Sequence, residues 1–491
     1  MRAALMAAGI AGRFVLLVAC LGVGVGLGGC VIYLNPQCTD QIKNGEETGV
    51  DCGGGCGHCE VGQGCRTDVD CDESTCNGNV CTAFPCDNQV KDGQETDVDC
   101  GGPCRKCSGG RHCAVAADCA SNVCVVGANT CKALTLSFAD AVAYPSGDKT
   151  YAVFSGDLNG DGRTDLAAAN EQGSSISVFL SDGAGAFHLQ GAPFTTGAYP
   201  TGGAIADFNG DGKLDVVTAD YHGNSVSVLL NAGTGTGALL PRVTYPTLDG
   251  AETSNLAVGD LNNDGNPDVV ATNPQQHSVT LFIGRADGTL IKAQDIQVGV
   301  TNAAQPYSAA IGDFDGDGNA DLAIAEETSG TIIVRLGKGD GTFQPEASYE
   351  IGGVRDYIII THDMNRDGKL DLLSANRGSD NVSVLIGRGD GTFRKPIVSS
   401  LKPSVGPYSI AVDDFNQDGV PDIVTANFMS NDSTVLLGIG TGKFEPVINA
   451  GPTGIHPYGV ATGDFDGDTH PDFATANSVS FDVTVKRNTG H

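Results

Sequence analysis

The sequence predicts an all-β protein: a seven-bladed β-propeller of four-stranded blades, preceded by two small disulfide-rich modules. Three observations support this prediction. A nine-residue acidic motif occurs seven times at intervals of 50 to 53 residues, short apolar runs flank each copy, and sixteen cysteines precede the repeats in two groups of eight. Repetition at this period is typical of propeller blades, and short apolar runs between turn residues are typical of strands.

The recurring motif reads Asp, apolar, Asp or Asn, any residue, Asp, Gly, any two residues, Asp. Side-chain oxygens at positions 1, 3, 5 and 9 converge only if the segment forms a loop, and glycine at position 6 supplies the positive φ of a sharp turn. Hard oxygens in this pattern are calcium ligands. An EF-hand would need Glu at position 12 and flanking helices, whereas short apolar runs follow here. The motif therefore predicts a calcium site in each repeat, with up to seven ions.

The predicted metal-binding side chains are Asp157, Asn159, Asp161, Asp165, Asp207, Asn209, Asp211, Asp215, Asp260, Asn262, Asp264, Asp268, Asp313, Asp315, Asp317, Asp321, Asp363, Asn365, Asp367, Asp371, Asp414, Asn416, Asp418, Asp422, Asp464, Asp466, Asp468 and Asp472.

With these motifs, residues 137–491 resemble FG-GAP/VCBS repeats, the blade units of integrin-α-like β-propellers. The resemblance implies a calcium ion in the loop between the first two strands of every blade. The seventh copy departs from the pattern, because Thr469 stands at the glycine position. A left-handed conformation costs an L-residue about 1–2 kcal/mol. We therefore expect the seventh site to be the weakest, or its loop to have an altered geometry.

Each repeat contains four predicted strands. One apolar run precedes the motif and another follows it, a third run alternates apolar and polar residues, and a fourth begins after a glycine turn. The last repeat ends after its third strand, at 482–486, whereas residues 137–144 resemble a fourth strand. We predict that this N-terminal strand completes the seventh blade and closes the ring, which removes exposed sheet edges.

The formal net charge of −31 comes mainly from the acidic motifs, whose 23 carboxylates account for all but 8 of it. The acidity is therefore explained by the predicted metal sites. The sequence contains no basic stripe, so a nucleic-acid partner is not expected.

Residues 1–29 have the form of a signal peptide, with an apolar run over 14–27 that is short for a membrane span. The run ends in Leu-Gly-Gly before Cys30, which resembles the lipobox of bacterial lipoproteins. This resemblance implies cleavage before Cys30, a lipid on its thiol and a tether over 30–37. The protein would then be exported and held at the bacterial outer membrane or cell surface by its lipid alone. The alternative is an ordinary signal peptide with a chance cysteine.

The next cysteines form module 1 (38–84) and module 2 (85–131), before a linker at 132–136. Each module has few large apolar residues, so disulfides are expected to stabilise it. Zinc is the alternative, because Cys56 and Cys59 have ligand spacing. Eight cysteines allow 105 pairings, and the sequence does not select one. The modules resemble Cys-rich repeats of bacterial surface proteins. The cysteines are Cys38, Cys52, Cys56, Cys59, Cys65, Cys71, Cys76 and Cys81, then Cys86, Cys100, Cys104, Cys107, Cys113, Cys119, Cys124 and Cys131.

A tyrosine stands six residues before the motif in five repeats. This position begins the predicted innermost strand, on the face opposite the calcium loops. Aromatic rings there suit stacking on sugars or peptides. The alternative is packing between blades, with each hydroxyl satisfied locally. The candidate ligand-face residues are Tyr151, Tyr307, Tyr357, Tyr408 and Tyr458.

The function we predict is recognition or adhesion, with a glycan or protein as ligand. The alternative is an extracellular hydrolase or lyase acting on polysaccharide, which would need an acid and a base at the channel mouth. No nucleophile elbow or metalloprotease helix can be read, so no catalytic residue is predicted. Residues 388–390 have the sequence of the cell-attachment tripeptide Arg-Gly-Asp. Other repeats have similar sequences at this position, so we predict a structural turn there.

Overall fold

The computed structural model describes residues 136–490, apart from 300–304 and 355, together with short stretches between residues 63 and 131. The chain divides into two compact units, 1–90 and 91–491. The predicted signal peptide, Cys30 and most of module 1 lie outside the described residues. Among the residues that are described, no helix is long and apolar enough to cross a membrane.

In the first unit, β1 (Ser74–Asn77) and β2 (Val80–Ala83) form an antiparallel hairpin. The second unit begins in module 2, where β3 (Cys124–Val125) pairs with β4 (Thr130–Cys131). Disulfides join Cys100 to Cys107 and Cys113 to Cys124. The prediction of disulfides is confirmed for these two pairs.

Seven antiparallel sheets follow, and each is one blade. In blade one, the outermost position is divided between two short strands, β9 and β10. A 3₁₀ turn, Pro274–Gln276, lies in blade three. The predicted seven-bladed propeller is therefore confirmed.

The strands of blades one to three are β6 (Thr150–Gly156), β7 (Asp165–Asn170), β8 (Ser175–Ser181), β9 (Phe187–Leu189) and β10 (Phe194–Thr195); β11 (Pro200–Ala206), β12 (Asp215–Asp220), β13 (Ser225–Leu229) and β14 (Val243–Pro246); β15 (Leu256–Gly259), β16 (Asp268–Asn273), β17 (Ser278–Gly284) and β18 (Leu290–Gln297).

The strands of blades four to seven are β19 (Pro306–Gly312), β20 (Asp321–Glu326), β21 (Thr331–Arg335) and β22 (Ala347–Glu350); β23 (Asp356–His362), β24 (Asp371–Asn376), β25 (Asn381–Leu385) and β26 (Ile397–Ser400); β27 (Pro407–Asp413), β28 (Asp422–Asn427), β29 (Asp432–Leu436) and β30 (Ile448–Pro452); β31 (Pro457–Gly463), β32 (Asp472–Asn477), β33 (Asp482–Lys486) and the N-terminal β5 (Val142–Pro145).

The N-terminal strand closes the ring as predicted. β5 pairs antiparallel with β33, with Asp482 opposite Pro145. Beyond the strands, the Ala139 N–H donates to the Arg487 carbonyl at 2.8 Å. The first and last strands of the propeller therefore belong to one sheet, and blade seven has no free edge on that side.

The core consists of seven apolar layers, each formed by residues of two adjacent blades. The second residue of every acidic motif is buried in this core; Phe208 and Phe465 are examples, each 1% exposed. Burial of these side chains fixes the motif loops against the sheets. The first strand of each blade is innermost and ends at its motif loop, so these loops share one face and the strand starts share the other. The face of the strand starts also carries the loops between the second and third strands of each blade. We call it the loop face, and it is opposite the motif loops.

Candidate functional site

The acidic motifs form seven tight loops with the same hydrogen bonds. In each loop, the position-6 N–H donates to the position-1 carboxylate at 2.7–3.0 Å. The position-7 N–H donates to the position-5 carboxylate at 2.7–3.0 Å. These bonds fix the carboxylates at positions 1 and 5 against the backbone of each loop. That the loop oxygens bind a metal stays a prediction.

The aspartate at position 9 also has a structural role that sequence reasoning missed. It begins the second strand with its side chain fully buried. One oxygen accepts the N–H of the residue 16 positions later in every blade, as Asp165 does from Ser181 at 2.9 Å. In six blades the other oxygen accepts the position-2 N–H. This carboxylate therefore ties its loop to the third strand.

Blade six differs in this respect. Among the described residues, Oδ2 of Asp422 is buried without a hydrogen-bond partner. Burial raises the pKa of Asp422 to about 9, and burial raises the pKa of Asp165, in the loop of blade one, to about 6. A buried carboxylate oxygen without a donor is costly unless a cation or proton satisfies it.

In the two loops with aspartate at position 3, three carboxylates converge within 4.8 Å of one another. These groups are Asp313, Asp315 and Asp321, and Asp464, Asp466 and Asp472. Clustered hard oxygens, together with the unsatisfied oxygen of Asp422, fit the requirements of a calcium ion. The residues present therefore suit the metal that the family resemblance implies.

The seventh loop keeps the common geometry despite Thr469. Its φ is +74°, like the glycines at this position, and its N–H donates to Asp464 at 2.9 Å. Of the two expected outcomes, the altered loop is therefore wrong, and the weakest calcium site stays a prediction. The surrounding hydrogen bonds hold the threonine in a conformation that is unfavourable for it.

The tyrosines gather at the opposite end of the innermost strands. The Tyr151 hydroxyl is hydrogen bonded to Tyr408 and, at 3.1 Å, to Tyr307; the hydroxyls of Tyr307 and Tyr408 are 2.5 Å apart. The Tyr458 ring stacks on Tyr151 with centroids 4.1 Å apart. Burial raises the pKa of Tyr151 and Tyr408 well above the usual value. These four residues, from blades one, four, six and seven, form what we call the tyrosine cluster.

Three tyrosine hydroxyls are bonded within the protein, as the alternative of inter-blade packing requires. Their bonds, however, cross the propeller axis and do not only join neighbouring blades. Three hydroxyls bonded in a triangle supply three donors for three bonds. Tyr357 lies in β23 at the equivalent position, and its side chain lies outside the described residues.

A cavity of about 250 Å³ lies on the axis next to the cluster. Residues of all seven innermost strands line it. The lining includes the four rings of the tyrosine cluster, apolar side chains, and hydroxyl and amide groups such as Ser254, Asn255 and Ser308. The described residues around this cavity include no Asp, Glu, His, Lys, Arg or Cys. The cavity can offer packing surface and hydrogen bonds to an uncharged group.

An aromatic and apolar surface surrounds the cluster on blades five to seven. The Phe428 ring contacts His456, with centroids 4.3 Å apart, and the Arg377 guanidinium lies 4.6 Å from the Phe428 centroid. Five large apolar side chains in the neighbouring loops are about half exposed. These are Val354, Met429, Ile455, Val479 and Phe481.

A second aromatic group lies on blades two and three. The Tyr221 hydroxyl donates to the Glu252 carboxylate at 2.6 Å, and His222 contacts both Tyr221 and Tyr199. Burial, followed by this bond to Glu252, raises the pKa of Tyr221. The loop face thus offers aromatic groups on both sides of the axis.

The comparison with protein families agrees with the geometry of the repeats. The description "FG-GAP-like repeat" matches residues 157–218, 207–271, 260–324, 313–361, 363–425 and 414–475, more than half of the chain. The chain belongs to this family. No curated protein matches it.

Solved structures share the propeller fold of this FG-GAP-like protein. A streptogramin B lyase has a TM-score of 0.50 and 13% identity, covering 71% of this chain and 98% of its own. An Agrocybe aegerita lectin specific for non-reducing terminal N-acetylglucosamine has a TM-score of 0.42 and 19% identity over 71% and 87%. A putative 6-phosphogluconolactonase from Bacteroides fragilis has a TM-score of 0.47 and 21% identity over 63% and 85%. At 13% identity, the likeness to the lyase shows the fold alone.

The Arg-Gly-Asp tripeptide of this FG-GAP-like chain is a structural turn, as predicted. Arg388 is only 7% exposed, and its guanidinium donates to the Phe393 carbonyl at 2.6 Å. Asp390 accepts from the Thr392 N–H at 3.0 Å, and Asp340 and Thr342 form the same bond in blade four. The buried arginine is committed to its own turn.

Proposed function

We propose that this FG-GAP-like protein is a calcium-binding lipoprotein of the cell surface, whose propeller recognises a glycan or protein ligand through the loop face. The observation that carries the proposal is the concentration of aromatic and exposed apolar side chains on that face. Exposed apolar patches on soluble proteins are typical of binding surfaces.

The two faces have different tasks in this proposal. On one face, backbone amides and candidate metal ligands form the same bonds in every blade, which leaves little freedom to vary the chemistry. On the loop face the corresponding residues differ from blade to blade, as Tyr221, Glu327 and Phe428 do. Variable side chains on a rigid scaffold are suited to recognition.

Calcium would be held by the oxygens at positions 1, 3, 5 and 9 of the loops. Its charge would offset the repulsion among the clustered carboxylates, and its binding would stabilise the loops. The buried oxygen of Asp422 is a group that such an ion would satisfy. Calcium thus has a structural part in the proposal, remote from the ligand.

The test is binding of the protein to glycan and protein arrays with and without calcium. Met429→Ser and Phe481→Ser on the loop face should weaken binding of the ligand found without lowering the melting temperature. The matched control is Val243→Ser, because Val243 is similarly exposed on an outer strand. Equal losses in all three variants would contradict the assignment of the face.

The same preparation tests the catalytic alternative. Incubation with the bound polysaccharide should leave its chain length unchanged, as measured by size-exclusion chromatography. Release of shorter fragments would favour the hydrolase or lyase hypothesis. The lipid anchor is tested by Cys30→Ser, which should appear in the soluble fraction. A variant that stays membrane-bound after its signal peptide has been removed would contradict the lipid anchor.

A further inference from the structure

In three blades, the motif loop contacts the loop of the next blade through the side chain at position 4. This position has positive φ in all seven loops. Four loops use glycine there, whereas Asn263, Arg366 and Gln417 occupy it in blades three, five and six at φ of 59°, 61° and 55°. A side chain in this conformation is disfavoured, above all for Arg and Gln, which lack the local hydrogen bond available to Asn.

All three of these side chains extend to the loop of the next blade. Asn263 Nδ2 donates to Asn319 Oδ1 at 2.7 Å. Gln417 Nε2 donates to the Thr469 carbonyl at 2.8 Å. Arg366 Nη1 lies 3.5 Å from the position that a Cβ atom would occupy at Gly419. Each contact ends at position 6 or 7 of the neighbouring loop.

The contacts end on groups that orient candidate ligands. Thr469 donates its N–H to Asp464, and the following N–H, of His470, donates to Asp468 at 2.8 Å. Gln417 therefore holds the peptide group whose N–H donates to Asp468, one of the four predicted ligands of blade seven. In blade four, Asn319 donates its own N–H and side-chain amide to Asp317 at 2.8 and 2.9 Å.

We propose that Gln417 and Asn263 are positioning residues for calcium, each acting on the loop of the following blade. Gln417 matters most, because the loop it supports contains Thr469 at positive φ. Its hydrogen bond stabilises the conformation that the glycine-free turn disfavours. The affinity of blade seven for calcium then depends on blade six. This inference rests on the proposed binding of calcium to the loops.

The test uses the full-length protein labelled with ¹⁵N-threonine and titrated with calcium by NMR. Two amides report on separate loops: Thr469 in blade seven, and Thr164, at position 8 of the blade-one loop, which Gln417 does not contact. Gln417→Gly removes the amide and keeps a residue suited to positive φ, as at Gly160 and Gly316. Loss of one net hydrogen bond should raise the Thr469 midpoint about fivefold. The Thr164 midpoint should stay unchanged.

A second variant checks the inference independently. With ¹⁵N-glycine, Asn263→Gly should raise the calcium midpoint of Gly318 and leave that of Gly162 unchanged. Equal midpoints in wild type and variants, with calcium bound, would overturn the positioning role and leave the proposed function intact. If no loop amide responds to calcium in the wild type, calcium binding itself fails and the inference fails with it.

Discussion

Asp220 is a carboxylate at a position where five other blades have asparagine. It ends β12 with its side chain fully buried, and accepts hydrogen bonds from the hydroxyls of Thr218, Ser225 and Ser227 at 2.6–3.1 Å. Burial raises its pKa from 3.8 to about 6. The corresponding residues are Asn170, Asn273, Glu326, Asn376, Asn427 and Asn477. We predict that Asp220→Asn stabilises the protein at neutral pH.

The sign follows from proton linkage. The folded state binds this proton more tightly than the unfolded chain, so stability is lost as pH rises from about 4 to above 6. A shift of about 2 pKa units corresponds to roughly 3 kcal/mol. The variant lacks this penalty, and Asn170 shows that an amide can bond the equivalent serines, Ser175 and Ser177.

The assay is urea unfolding of wild type and Asp220→Asn at constant calcium from pH 4.5 to 8. The difference in unfolding free energy should increase with pH and be about 2 kcal/mol larger at pH 8 than at pH 4.5, because the unfolded chain has already released most of this proton at the acid end. All other titrating groups cancel in this difference. Asn170→Asp is the matched control and should show the opposite trend. A difference that does not vary with pH, or a variant less stable at pH 8, would refute the reasoning.

Three further predictions concern the loops and the ring closure. A chelator should lower the melting temperature sharply, because two carboxylates 4 Å apart repel by about 4 kcal/mol at a dielectric of about 20, and calcium at about 1 mM should restore it; an unchanged melting temperature would contradict this. Thr469→Gly should raise the melting temperature more at limiting than at saturating calcium, and lower stability at both would count against the strain argument. A chain beginning at Thr150 lacks β5, so it should associate through the exposed edge of β33 in size-exclusion chromatography. A stable monomer would rule out the importance of the closure.

Much of the fold follows from the sequence because the repeat period, the strand patterns and the mismatch of the chain ends are local features. The ring closure could be predicted from the resemblance of residues 137–144 to a fourth strand. The loop geometry followed likewise from residue spacing, since positions 1, 5 and 6 are bonded within six residues.

Other features depend on distances that spacing does not show. The bond from Asp165 to Ser181 spans 16 residues and requires the third strand to end beside the loop. Positive φ at position 4 was hidden because Arg366 and Gln417 are not residues typical of it. The tyrosine cluster depends on which side chains are large enough to meet at the axis: blades two and three have Thr201 and Ser254 there, and this leaves space for rings from the other blades.

The pairing of β5 with β33 also determines how the propeller bears load. The chain enters the propeller beside the motif loops, where Ser137 accepts the Thr489 N–H at 2.7 Å, and β5 runs from there toward the loop face. A ligand held on the loop face and a pull transmitted through residue 136 would act along the axis of β5. The hydrogen bonds between the two strands would then be strained together in shear, a direction in which they must break collectively. A tether that peeled the strand sideways would break them one at a time.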